Sequence, residues 1–421
     1  MRSGVDALRR HPEWVVVLAG VSAALHVGKM SPALPALRDA LGVSLLQAGF
    51  LLSLVQFAGM AFGLLAGLAA DGIGLRRSML TGLVVLSSAG ALGALAEQPQ
   101  TLLLLRACEG FGFLLTVTPA PGLIRRLTPP DQLPWALGLW GTYMPAGTAV
   151  ALLVGPALID AVGWRGWWVS LVVVTAVMAL AVAGLIRADP TSAPIPAAPA
   201  APAVAAVIAR AASPVTWQQR VRRTLSSRGP WLVALCFALY SGQWLAVIGF
   251  LPSVVAQAGR VGLGAASLLA LAALVNVIGN LASGRLLQRG VPPWRLLASG
   301  FLAMTIGAAM AFAGPGWGQA GPGIAMARYA GVLLFSMLGG LIPGTLFSMA
   351  VRLAPDESSV STTVGWMQQL SALGQFLVPP LVAWIAAGVG GWQWTWVATG
   401  ACSLLGLVVA QRIQGQLRHG A

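Results

Sequence analysis

Long, nearly unbroken apolar runs recur along almost the whole chain of 421 residues. A run of about 20 apolar residues is what a helix needs to cross a bilayer. A membrane-spanning reading therefore precedes any other. Charge, proline and glycine mark the breaks between runs. They give twelve expected spans: 14–36, 45–70, 78–97, 101–124, 133–158, 166–187, 231–255, 265–288, 293–313, 324–350, 359–387 and 393–411. The expected fold class is an all-α membrane protein. Only 9% of the residues are charged, where soluble domains carry about 25%. So few cannot clothe a soluble surface, which excludes a soluble enzyme, a disordered tail and a disulfide-rich secreted module.

The formal net charge of +14 comes from 24 Arg and one Lys against 11 acidic residues. The cations are scattered in short clusters, so no basic domain exists to grip nucleic acid. They are strongly sided. One set of loops carries 19 of them, the other only Arg38, Arg165 and Arg260, and Lys29, Arg106 and Arg328 fall inside spans. Positive residues collect on the cytoplasmic side. Both termini are thus expected in the cytoplasm, in the inner membrane of a bacterium. The segment MRSGVDALRRHPEW reads as a retained tail before the first span rather than a cleaved leader. Cys108, Cys236 and Cys402 lie in apolar runs without CxxC spacing and read as small buried hydrophobes. No metal and no cofactor is expected.

The chain divides into an N-terminal six-helix bundle (1–187), a Pro/Ala-rich and basic cytoplasmic linker (188–229), and a C-terminal six-helix bundle (230–421). The linker reads as flexible, with its Arg cluster near anionic lipid. The bundles are a repeat. Trp14 and Pro35 match Trp231 and Pro252 at an offset of 217, Arg106 matches Arg328 at 222, Arg126-Leu127 matches Arg352-Leu353 at 226, and Gly163-Trp164 matches Gly391-Trp392 at 228. Two parallel repeats of this kind suggest a transporter with its substrate site between the halves.

GLAADGIGLRR, with Asp71, Arg76 and Arg77, resembles the signature between spans two and three of the major facilitator superfamily. LRACEGFG, with Arg106 and Glu109, resembles that superfamily's signature on span four. Gly138, Gly141, Gly147 and Gly155-Pro156 resemble its glycine-rich span five without the closing Gly-Gly associated with antiporters. The resemblance covers nearly the whole chain and implies the major facilitator fold, twelve helices in two six-helix repeats. It also implies that Asp71, Arg76 and Arg77 latch the cytoplasmic side in one state of an alternating-access cycle. HVGKMSPALPALRDALGVSLLQAGFLLSLVQ looks most like the cyanate/nitroimidazole permease-like branch.

Ionisable groups inside spans are costly and so mark candidate sites. His26 and Lys29 share a face of span one, and Arg106 and Glu109 share one of span four. Glu109, the one carboxylate clearly inside a span, is the candidate proton-coupling residue. Arg328 has no carboxylate nearby in the sequence. With Lys29 it is the candidate partner of an anionic substrate group. Trp140 and Tyr143 on span five, Tyr240, Gln243 and Trp244 on span seven, Asn276 on span eight, and Trp366 and Gln369 on span eleven complete the expected substrate site. Pro119, Pro121 and Pro343 are expected to bend spans four and ten.

These features lead to a secondary transporter working as a monomer, by alternating access. Its expected action is proton-coupled uptake of a small organic or inorganic anion, because three in-span cations face one carboxylate. The alternatives are a proton-coupled multidrug exporter of the same fold and a membrane sensor that binds ligand without moving it. A membrane-embedded enzyme is not expected, since HExxH, GxSxG and paired intramembrane carboxylates are all missing from the sequence.

Overall fold

The computed structural model describes residues 11–42, 45–187, 216–257, 263–314, 316–389 and 391–419. Apolar sequence between Pro and Gly breaks forms helix throughout. Pro12, Pro99, Pro293 and Pro322 stand in the first turns of their helices, where a missing N–H costs nothing.

Twelve spans result. Span one is Pro12–Gly28 continued by Met30–Leu41, span two is Leu45–Ile73, and span three is Leu75–Ala94. Span four is Pro99–Val117 with Ala120–Leu127. Leu133–Trp140 opens span five, and Tyr143–Leu185 holds the rest of it together with span six. The two are parted at Gly163, whose φ of 73° and ψ of 170° suit a residue without a Cβ. Arg228–Gln257 is span seven, Leu263–Leu274 with Asn276–Gln288 span eight, and Pro293–Phe312 span nine. Span ten is Pro322–Gly339 with Leu341–Arg352, span eleven Val360–Val389, and span twelve Thr395–His419. The bounds differ from the sequence reading by a few residues, except that the last helix outruns its apolar run. Span four is interrupted at Thr118–Pro119 and span ten at Gly340. Residues 118 and 340 are 222 apart, the offset that relates Arg106 to Arg328.

The halves meet where span two packs on span eleven and span five on span eight. Glycine permits the approach. A Cβ on Gly67 would stand 2.9 Å from Thr362 Cα, and one on Gly284 would stand 2.7 Å from Pro134 O and 2.9 Å from Trp135 Cα. These crossings close one end of the bundle, here called the linker face. More contacts tie the halves there. Arg125 pairs with Glu357, Gln288 Nε2 donates to Asp131 O at 3.1 Å, and the Arg285 guanidinium lies 4.4 Å from the Trp135 ring centre.

The linker departs from the flexible reading. Residues 188–215 lie outside the described residues, but Trp217–Ser226 is a helix. Thr216 and Gln219 cap it reciprocally, each side chain meeting the other's backbone N–H, which satisfies two donors of the first turn. The helix docks at the linker face through Arg223, 2.9 Å from Asp356. Partial burial pushes the Asp356 carboxyl up, but hydrogen bonds from Ser358, Arg223 and Ser359 outweigh it and hold the group below its ordinary value. This tie therefore persists at neutral pH and loosens only as pH falls through that lowered value.

Candidate functional site

A cavity of about 60 Å³ lies between the halves. Its walls come from both sides: Gln56 of span two, Phe113 of span four and Tyr143 of span five face Phe237, Tyr240, Ser241 and Trp244 of span seven, Asn276 of span eight, Phe347 of span ten, and Gln368, Ser371 and Gln375 of span eleven. The lining is aromatic rings, amides and hydroxyls, with no charged side chain among the described residues. Hydrogen bonds run across it. Gln56 Nε2 donates to Gln375 Oε1 at 3.0 Å, Gln375 Nε2 to Ser371 Oγ at 3.1 Å, and Ser371 Oγ to Ser241 Oγ at 2.9 Å. Gln368 Nε2 reaches Tyr143 Oη at 3.4 Å. Asn276 Nδ2 donates to Ser336 O at 2.6 Å and to Tyr240 Oη at 3.1 Å. Trp244 Nε1 donates to Ser336 Oγ at 3.2 Å. The C-terminal half thus presents a polar network, and Gln56 and Tyr143 of the N-terminal half reach across to it.

The in-span charges are elsewhere. His26, Lys29, Arg106 and Glu109 are fully buried inside the N-terminal half, between spans one, three, four and six. Lys29 Nζ donates to Glu109 Oε1, and Arg106 Nη1 donates to Glu109 Oε2 at 2.9 Å. The rest of the Arg106 fork is spent on main-chain carbonyls: Nε on Leu51 at 3.0 Å, Nη1 on His26, and Nη2 on Val27 at 3.2 Å. His26 Nδ1 lies 3.4 Å from Lys29 Nζ and 3.6 Å from Glu109 Oε1, while its Nε2 lies 2.9 Å from Thr175 Oγ1. Trp168 covers Lys29, its ring centre 4.4 Å from Nζ. Buried charges survive only when paired and hydrogen-bonded, and each of these is.

Of the expected substrate residues, Tyr143, Tyr240, Trp244 and Asn276 line the cavity. Trp140 stacks on Tyr143 at 4.3 Å, behind the lining. His26, Lys29 and Arg106 do not reach the cavity, because Glu109 and backbone carbonyls hold them within their own half. Arg328 is buried in the C-terminal half and is likewise no part of the lining. Gln243 turns toward span twelve, accepting from Ser403 Oγ at 3.0 Å. Trp366 packs edge-on against Trp231, ring centres 4.7 Å apart. Gln369 Oε1 accepts from the Leu64 amide at 2.9 Å, bracing span two against span eleven. Arg76 Nη2 donates to Ala183 O at 2.6 Å, Arg77 is exposed, and the Asp71 side chain lies outside the described residues.

Sequence reasoning missed Gln56, Gln368, Ser371 and Gln375. A signal existed: residues 368, 371 and 375 are spaced i, i+3, i+7 and so share one helix face. Gln369 sits one position round the same helix and faces elsewhere.

The sequence matches the family model described as Major Facilitator Superfamily over residues 16–379. It is 32% identical over 177 residues to the puromycin resistance protein pur8 of Streptomyces alboniger, covering 42% of this chain and 35% of that protein. It is 28% identical over 165 residues to the multidrug resistance protein MdtH of Yersinia pestis (strain Pestoides F), covering 35% of this chain and 41% of that one. The chain thus aligns with well under half the length of these relatives. The fold is similar to that of the proton:xylose symporter XylE bound to 6-bromo-6-deoxy-D-glucose, with a TM-score of 0.73 and 13% identity over 95% of this chain and 94% of that one.

Proposed function

The chain belongs to the Major Facilitator Superfamily, and from that premise we propose that it is a secondary transporter exporting an uncharged, partly aromatic compound through the central cavity by alternating access. The carrying observation is the lining: rings, amides and hydroxyls from both halves, with no charged side chain among the described residues. Such a surface suits a solute that stacks and exchanges hydrogen bonds, and it leaves an anion's charge uncompensated. The cavity's 60 Å³ is far below the roughly 300–1,000 Å³ of a drug-sized site. Entry of solute then requires the halves to part, as alternating access supposes. The aligned relatives are named for drug resistance, which favours export.

Uptake of a small anion finds less support. Lys29 and Arg106 already serve Glu109, and Arg328 does not line the cavity. We assign proton coupling to the buried cluster as a unit, with Glu109 at its centre and Lys29, Arg106 and His26 as its partners. The uneven spread of arginine supports a bacterial inner-membrane orientation with both termini and the linker face cytoplasmic. Asp71, Arg76 and Arg77 keep their proposed part in latching that face.

A binding screen on the purified protein tests the solute class. Thermal unfolding is followed with a panel of neutral aromatic amides and with small anions, cyanate and carboxylates included. Stabilisation is expected from a neutral aromatic, and Gln375→Leu should weaken it by about tenfold, as loss of a buried hydrogen bond implies. Stabilisation by a small anion that Lys29→Ala or Arg328→Ala abolishes would return the reading to anion transport.

A further inference from the structure

A second pocket, of about 450 Å³, lies at the linker face and takes no part in the solute cavity. Its walls are Arg125 and Arg126 at the end of span four, Arg220 of the linker helix, and Glu357 and Ser361 leading into span eleven. Among the described residues, three guanidinium groups thus meet one carboxylate. That carboxylate is paired with Arg125, and its side chain is 85% exposed. The neighbouring Asp356 is engaged by Arg223, Ser358 and Ser359. Nε of Arg220 is buried with no hydrogen-bond partner.

Backbone adds to the positive potential. The helices of spans three and eleven both start at this pocket, where Gly74, Leu75, Val360 and Ser361 line it. Span three has no acidic residue in its first turn and Gly74 supplies no side-chain cap, whereas span eleven continues the turn Glu357–Ser359, whose Glu357 and preceding Asp356 are already paired with Arg125 and Arg223. A helix start carries about half a positive charge and aims free N–H groups outward. Guanidinium forks and helix starts together are the donors that a phosphate group accepts from.

We propose that this pocket binds a phosphate group, from a phospholipid headgroup or a free phosphate compound, and that its occupancy holds the linker face closed. The walls belong to both halves and to the linker helix, so the pocket is assembled only while that face is shut. A ligand that binds one state alone shifts the equilibrium toward it. The inference does not rest on which solute the central cavity carries.

The test uses the full chain, purified, with spin labels on either half at the linker face. Thermal unfolding and label distance are followed in detergent against inorganic phosphate, with chloride at matched ionic strength as reference. In parallel, label distance is followed in phosphatidylcholine nanodiscs with and without phosphatidylglycerol. Phosphate should raise the unfolding temperature saturably and enrich the short distance. Arg220→Gln and Arg126→Gln should each weaken the half-saturating concentration by about tenfold. Arg222→Gln, an exposed residue of the same helix outside the pocket, should leave it unchanged. A response to phosphatidylglycerol alone, dependent on Arg220, identifies the headgroup as the source. The proposal falls if neither ligand acts, or if Arg222→Gln weakens the response as much as Arg220→Gln.

Discussion

Glu109→Gln is expected to destabilise the protein by about 3–5 kcal/mol, the usual cost of stranding buried charge. Lys29→Met should cost far less. The asymmetry follows from charge count. Lys29 and Arg106 share the one carboxylate. Removing Glu109 leaves two cations side by side in a sealed site, whereas removing Lys29 leaves Arg106 and Glu109 as a balanced pair. The double variant Lys29→Met/Glu109→Gln should therefore be more stable than Glu109→Gln alone, since Arg106 keeps its carbonyl partners at Leu51, His26 and Val27. Denaturant unfolding in detergent measures all three. If Lys29→Met is as damaging as Glu109→Gln, or the double variant recovers nothing, the cluster is not the charge-balanced unit described. Transport gives a second readout: Glu109→Gln should abolish accumulation driven by a proton gradient while sparing solute exchange. Normal pH-driven accumulation in that variant would remove the cluster from the coupling mechanism.

Gly284→Val should jam the linker face open. The added Cβ would meet main-chain atoms of Pro134 and Trp135, and backbone on a packed helix cannot swing aside as a long side chain does. Overpacking of this kind costs about 1–3 kcal/mol. Here the cost applies only to the closed state, so the open state gains about 5–150-fold in population. Transport should fall sharply while global stability changes little. Gly264→Val serves as the control, since it stands on the same span with open space around its Cβ position. Distances across the linker face decide the matter. A Gly284→Val protein that still closes, or a Gly264→Val protein equally impaired, would show that the crossing is not tight in the way described.

The spans were legible because each must hide its backbone from lipid and therefore advertises itself as a long apolar run. The repeat was legible in Arg106 and Arg328, and it reappears as matched interruptions at residues 118 and 340. Periodicity also showed that His26 faces with Lys29 and Arg106 with Glu109. It did not show that the two pairs meet, because that depends on how spans one and four rotate against each other. Lys29 looked unanswered by any carboxylate for that reason, until span four brought Glu109 to it. The linker helix was hidden differently. Its residues are polar and basic, and a capping box at Thr216 and Gln219 is a weaker sign than twenty apolar residues.

The cluster formed by Lys29, Arg106 and Glu109 holds one more cation than anion, and it is built into one half. Any tilt of that half carries the surplus charge some distance through the membrane's electric field. A charge crossing the whole of a 100 mV potential exchanges about 2.3 kcal/mol with it, and a partial displacement exchanges a share of that. Voltage thereby biases which face of the protein is open, apart from any gradient of protons or solute. Such a protein is then itself an electrically sensitive device, whatever the charge of its solute.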